Sequence, residues 1–464
     1  MEKEVMESPA LFLNPLDMNV SSAFRMALPL VATSLVFCLI GAVDMALAGC
    51  KSAAAQAAVG VADQCIFATM LVGTGLSAAT GCFVSQSIGA KNLGLARQYA
   101  IDGIVFAALF GSLASLICFC SAETLIKFFG CSPASRVVAL PYLQICAFGN
   151  LPFMVVIVQA AILRAIGKTA DCLRMWTLIG LVSIAGGLGL YMVNGLPCSQ
   201  SMTSLAVAWD LGALAGVVFA SVILSRTFFS RAKSSLCNPK RLPSQAHRLL
   251  EFSRVGIPVL LSEACSIASL AAVYAIIGRL PGNENLQAAY TVTLKIEETF
   301  GILPLVAMST VSATLIGHQV GAKMFATART LGWQLAIAST GIMLICGIFV
   351  REASPALAAF FTADMTVLSA IGIGTASANV SMPLIAFTFV LFANLEGVGK
   401  TTLPLAAQFA GYIACRIPLA YIFAIHMDLG YTGVWLAIIV SRVVMAVLAL
   451  LIYRCGFTAD TLSP

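Results

Sequence analysis

The stretch AFRMALPLVATSLVFCLIGAVDMALAG, Ala23 to Gly49, decides how the rest of the chain is read. At roughly 1.5 Å per residue it is long enough to cross a hydrocarbon core of about 30 Å as one helix. Pro29 lacks a backbone N–H and is expected to kink that helix in its first turns. Asp44 stands near the other end. A carboxylate at bilayer depth costs roughly 2.5–3.5 kcal/mol even on the lenient insertion scale, so such groups face a cavity or a partner and mark an ion or substrate path. Asp44 is therefore the leading candidate for an ion-coupling residue.

The 464 residues are 60% hydrophobic and 10% charged, against about 45–50% and about 25% in soluble domains. That excludes an ordinary soluble enzyme and predicts a polytopic membrane protein. Twelve apolar windows follow one another: 23–49, 57–85, 98–121, 137–163, 173–194, 203–225, 252–279, 286–318, 328–350, 367–394, 402–425 and 431–453. Their apolar runs are continuous rather than alternating, which favours helices over a barrel. The expected organisation is an N-terminal tail (1–22), a first lobe of six spans (23–225), a linker (226–251), a second lobe (252–455) and a C-terminal tail (456–464). The N-terminus has no basic head before a short apolar core, so a cleaved signal peptide is not expected. The fifteen cysteines are scattered through apolar windows and read as small buried hydrophobes, not as disulfides or metal ligands.

With the N-terminus in the cytoplasm, loops on that side carry eighteen Lys and Arg and those on the other side five. The positive-inside rule then places both termini in the cytoplasm of a cell whose plasma (inner) membrane the chain spans many times. The net charge of +6 is a topology signal and calls for no nucleic-acid partner.

An internal repeat divides the chain. SQSIGAKNLGLARQ follows the second window and GHQVGAKMFATART the eighth; Gly89, Ala90, Lys91, Ala96 and Arg97 recur as Gly321, Ala322, Lys323, Ala328 and Arg329, shifted by 232. The same shift takes Gly167-Lys168-Thr169 to Gly399-Lys400-Thr401, and one of 229 takes Pro29 to Pro258. Six spans per half is an even number, so both halves enter the membrane in the same direction, as parallel repeats. In the GAK segments glycine is expected to allow the tight turn or close packing, with Lys and Arg anchoring helix ends. A phosphate-loop reading of the GKT segments fails, because Ile162 and Asn394 stand where its first glycine is needed.

The pattern as a whole resembles the multidrug and toxic compound extrusion (MATE) family: twelve spans in two bundles, a first-span proline and aspartate, a Q-x-x-G-A-type segment from Gln86 to Ala90 with a shortened copy from Gln319 to Ala322, and duplicated glycine endings of the fourth and tenth spans. The resemblance implies an all-α polytopic membrane protein of two parallel six-helix bundles related by pseudo-two-fold symmetry around a central cavity. It implies outward movement of an organic, often cationic, compound in exchange for protons or sodium ions. Asp44 falls on the family's first-span carboxylate. Relatives often place an Asn and an acid in the fifth span where Ser183 and Gly187 stand here; Asp210 in the sixth span is expected to compensate and to share the N-lobe ion site with Asp44. Glu263 falls on a seventh-span glutamate of some relatives, while Glu396 stands where many have arginine.

Glu263, Glu297 and Glu298 are the candidate substrate-cavity acids. Lys295 and Glu298 are three apart and able to pair, whereas Glu297 points elsewhere, with Arg416 and Arg442 either its partners or snorkelling to a rim. Pro29 and Pro258 are candidate hinges. No cofactor and no metal are expected beyond the coupling H+ or Na+; the partners are a small organic substrate and the lipid bilayer, and the chain is expected to act as a monomer. A flippase for lipid-linked saccharides is the alternative, but its diphosphate calls for a cavity rich in Arg and Lys, and acids outnumber bases within these spans. An integral-membrane enzyme would need a clustered catalytic set, and the sequence has no HExxH, no DDxxD and no triad spacing.

Overall fold

Inside hydrocarbon each peptide group must find its partner within the protein, and continuous apolar runs can do that only as helices. The computed structural model describes residues 18–51, 53–128, 133–191, 198–229, 245–361 and 364–456, and among them no strand occurs. Six helices make up the first half: α1 (Val20–Lys51), α2 (Ala53–Gly89), α3 (Leu93–Phe128), α4 (Pro133–Ala165), α5 (Thr169–Tyr191) and α6 (Cys198–Phe229). The second half holds α7 (Gln245–Ile277), α8 (Asn283–Glu297), α9 (Leu303–Gly321), α10 (Phe325–Phe361), α11 (Met365–Val398), α12 (Thr402–Gln408), α13 (Ile417–Tyr421) and α14 (Gly430–Gly456). A π-helical turn, Glu298–Ile302, joins α8 to α9 as one rod; two more, Phe409–Arg416 and Ile422–His426, make α12 and α13 another. Counted as rods these are the twelve spans expected. Eleven are long and apolar enough to cross a membrane, and α2, of 37 residues, completes the set.

The helices outrun the apolar windows. Where the window marks 98–121, α3 runs from Leu93 to Phe128, because a helix continues past the hydrocarbon as far as its polar ends are satisfied. The linker expected over 226–251 shrinks for the same reason: α6 reaches Phe229 and α7 begins at Gln245. What remains of it, 230–244, lies outside the described residues, as do most of the N-terminal tail (1–17) and the C-terminal tail from 457.

The chain divides into two compact units, residues 28–256 and residues 18–27 with 257–456. In the first, α4 lies at the centre against α2, α3 and α6; in the second its repeat counterpart α11 packs on α9, α10 and α14. A cluster of Ala48, Val59, Ile66, Ile126, Leu143, Met202 and Leu205 fills one end of the first unit. Large apolar side chains also face outward: Ile101, Val105, Leu109, Leu113 and Leu116 recur at helical spacing along α3. In water that stripe would be an aggregation surface; against lipid tails it carries no penalty. Close helix contact relies on small residues, as at Gly111, where a Cβ would come 2.9 Å from Leu151 Cα of α4.

The repeats prove to be duplicated helix endings. At both GKT segments the glycine is left-handed (Gly167 φ 82, Gly399 φ 90), and Lys168 N–H and Lys400 N–H reach back to the carbonyls of Leu163 and Leu395. At both GAK segments the left-handed residue that makes the turn is the lysine (Lys91 φ 57, Lys323 φ 60), which leaves close packing as the role open to the glycine. Lysine pays a Cβ penalty there of roughly 1–2 kcal/mol, while Asn92 N–H and Met324 N–H close the same backbone loops on Ser87 and Gln319.

Candidate functional site

Three carboxylates from three helices converge in the first unit. Tyr142 and Cys146, one turn apart on α4 and both buried, hydrogen-bond to each other. Asp44 of α1 and Asp63 of α2 lie within electrostatic reach of one another and of both α4 side chains. Asp210 of α6 acts on Cys146 as well. Its carboxylate rests on the next turn of the same α4 face, where Gly149 leaves room: a Cβ there would overlap Asp210 Oδ1 and lie 2.9 Å from Cγ. That Oδ1 is buried without a hydrogen-bond partner. Among the described residues no basic side chain acts on any of the three acids, and no three His, Cys, Asp or Glu side chains come close enough to hold one metal ion. The arrangement is an acidic patch beside a polar rung.

The other sequence-predicted positions are distributed as follows. Pro29 and Pro258 lie inside unbroken helices, α1 and α7. One turn after Pro29, Thr33 Oγ1 donates to the Pro29 carbonyl at 2.9 Å, a contact that bends helices. Glu263 on α7 is exposed, without an ion pair among the described residues, and within electrostatic reach of Glu396 on α11. Glu298 pairs with Lys295 at 2.7 Å on an exposed face. Glu297 is 2% exposed and bonded to Arg442 Nη1 at 2.6 Å, with Ser381 on the same nitrogen. Glu297 and Glu298 are thus compensated, and of the three candidate cavity acids Glu263 is the one without an ion pair among the described residues.

A further ionic contact escaped the sequence reading. Asp102 of α3 and Arg248 of α7 form an ion pair, 5% and 7% exposed, which Gln98 supports at 3.1 Å. Beside it Tyr99 donates to Glu251 at 2.7 Å, and Phe83, Tyr99, Phe106 and Phe252 stack together. The first turns of α7 are therefore fastened to α3 within the first unit. Asp102 sits inside the 98–121 window and was the available signal; Arg248 looked like one more charge in a basic linker.

With this geometry in place, comparison with known proteins decides the family. The MatE family profile matches residues 29–188 and 258–422, beginning each time at one of the paired prolines. The chain belongs to the MatE family. It is a MATE transporter, a multi-pass membrane protein. The uncharacterized transporter YisQ of Bacillus subtilis is 24% identical over 457 residues, covering 97% of this chain and 96% of its own. A probable multidrug resistance protein NorM of Agrobacterium fabrum is 25% identical over 435 residues, 91% of each. Among solved structures, an outward-facing multidrug resistance MATE transporter of the MOP superfamily superposes with a TM-score of 0.84 over 97% of each chain at 20% identity, and so shares the fold.

Ser183 is buried with its hydroxyl against Gly212, and Gly187 faces Leu205. Neither can titrate, and both serve the packing of α5 on α6. Asp210 lies two residues from Gly212 and reaches the α4 rung from the other side. From sequence Asp63 counts only as one of the acids within the spans, and Tyr142, Cys146 and Gly149 were not selected; the spacing i, i+4, i+7 of the last three on one face of a span was the signal for them.

Proposed function

We propose that this MATE transporter is a secondary active antiporter of the plasma membrane, with both termini in the cytoplasm, which exports organic, cationic drugs or toxic compounds in exchange for protons or sodium ions. The observation that carries this reading is the convergence of Asp44, Asp63 and Asp210 on Cys146, with no basic side chain among the described residues acting on the three acids. An ionised carboxylate in a low-dielectric wall attracts a cation strongly, and protonation or sodium binding cancels the attraction. Ion and substrate need not share a position; each need only favour a different state of the same helices, since coupling is a difference in affinity between conformations. Asp44 and Asp210 are the proposed coupling pair, Glu263 the proposed cavity acid of the second unit, and Pro29 and Pro258 the proposed bending points. Relatives named as multidrug resistance proteins support the substrate class.

The test is transport of a fluorescent cation such as ethidium into everted vesicles, with proton and sodium gradients imposed separately. Wild type is expected to respond to one gradient, and Asp44→Asn to lose that response. No response of the wild type to either gradient rejects antiport.

A further inference from the structure

In the core of the second unit the charges do not balance. Arg442 on α14 is buried, bonded through Nη1 to Glu297 and Ser381, and its Nε has no partner. Arg416 is held by Nε to Ser441 at 2.9 Å and lies 4.6 Å over the ring of Tyr412. Its side chain is partly exposed, yet Nη2 is enclosed and unpartnered. The two guanidiniums and the Glu297 carboxylate all act on Tyr290, which packs at 5.5 Å on Trp435. Among the described residues two permanent cations therefore share one anion, leaving one positive charge, two open donors and one open carboxylate oxygen, Glu297 Oε2, in a bilayer-depth core. An uncompensated charge there costs several kcal/mol. The backbone is irregular at the same place: the π turn of the α8–α9 rod begins one residue after Glu297, and Arg416 closes the π segment Phe409–Arg416. Such turns are frequent at functional sites.

We propose that Arg416 and Arg442 form a binding site for a small monoanion, supplied either by a halide ion or by the carboxylate of a substrate. The open Nη2 of Arg416 and Nε of Arg442 are the donors, the partly exposed side of Arg416 is the way in, and Glu297 sets the affinity by holding one of the two charges. This site uses neither Asp44 nor Asp210, and its test uses binding alone, so it stands or falls separately from antiport.

The reporter is Trp435 in full-length protein with Trp176, Trp209 and Trp333 replaced by Phe. Sodium bromide is titrated against sodium gluconate at fixed sodium. Bromide is expected to quench along a saturating curve. Arg416→Gln is expected to raise its half-saturating concentration at least tenfold, and Glu297→Gln to lower it severalfold. Displacement of bromide by chloride identifies a halide site, and displacement by acetate a carboxylate site. Quenching that is strictly linear, equal in Arg416→Gln, or undiminished by both competitors overturns the proposal. Thermal unfolding of the unmodified protein as chloride or acetate replaces gluconate gives a check free of any substitution: a saturable rise in Tm is expected, and its absence with both anions equally overturns the site.

Discussion

Replacing Gly149 with alanine displaces the Asp210 carboxylate without touching its charge. The new Cβ would overlap Oδ1 and stand 2.9 Å from Cγ, where ordinary carbon contacts begin near about 3.4 Å, so the carboxylate must retreat by roughly 0.5 Å or more. Overpacking of this kind costs about 1–3 kcal/mol, and exchanging a mid-helix glycine for alanine returns about 1 kcal/mol. Gly149→Ala is therefore expected to lose about 0–2 kcal/mol of stability. In an Asp210→Ala background the obstacle is gone and only the helix gain remains, so the two changes should couple by about 1–3 kcal/mol. Denaturant or thermal unfolding of the four proteins in detergent measures the coupling. Ethidium transport in everted vesicles, measured alongside, should show Gly149→Ala with a shifted dependence on the driving ion and Asp210→Asn with a larger shift. If the two changes are additive in stability, α4 does not press on Asp210 and the proposed site loses one wall. If Asp210→Asn leaves transport and its ion dependence unchanged, Asp210 leaves the site.

Breaking the buried pair Asp102–Arg248 by Asp102→Ala should cost about 3–5 kcal/mol, since it takes the carboxylate away from a buried guanidinium; Asp102→Leu with Arg248→Met should recover most of that in the same unfolding assay, and equal loss in the double variant would show that the pair is not the source. Lys91→Gly and Lys323→Gly each remove a left-handed lysine and should raise stability by about 1 kcal/mol; a fall in Tm would mean the lysine side chains contribute more than their backbone costs. At the start of α11, the Thr366 hydroxyl and backbone N–H both donate to Asp364, at 2.7 and 2.8 Å, holding its carboxyl below the usual aspartate range. The folded value is depressed, so this stabilisation is complete above the unfolded value of about 4 and fades as pH falls through the folded one. Asp364→Ala should thus melt below wild type at pH 5–8, and the gap should close only below about pH 4; a gap that does not change with pH would rule out the cap.

The amino-acid sequence by itself determined the solvent and the architecture. Runs of about twenty apolar residues admit only helices in a bilayer, and the 232-residue shift from Gly167-Lys168-Thr169 to Gly399-Lys400-Thr401 reveals a duplicated chain because a helix ending needs the same backbone wherever it occurs. It also singled out Asp44 and Asp210, since charge in an apolar run is costly and therefore conspicuous. Which charges are neutralised was left to the tertiary structure. Arg442 meets Glu297 across 145 residues, and Arg248 meets Asp102 across 146; no local spacing encodes such pairs, because they depend on which faces two distant helices turn toward each other. Gly149 is the opposite case. Its absent side chain is invisible as a signal, yet it leaves the space in which a carboxylate from another helix comes to rest.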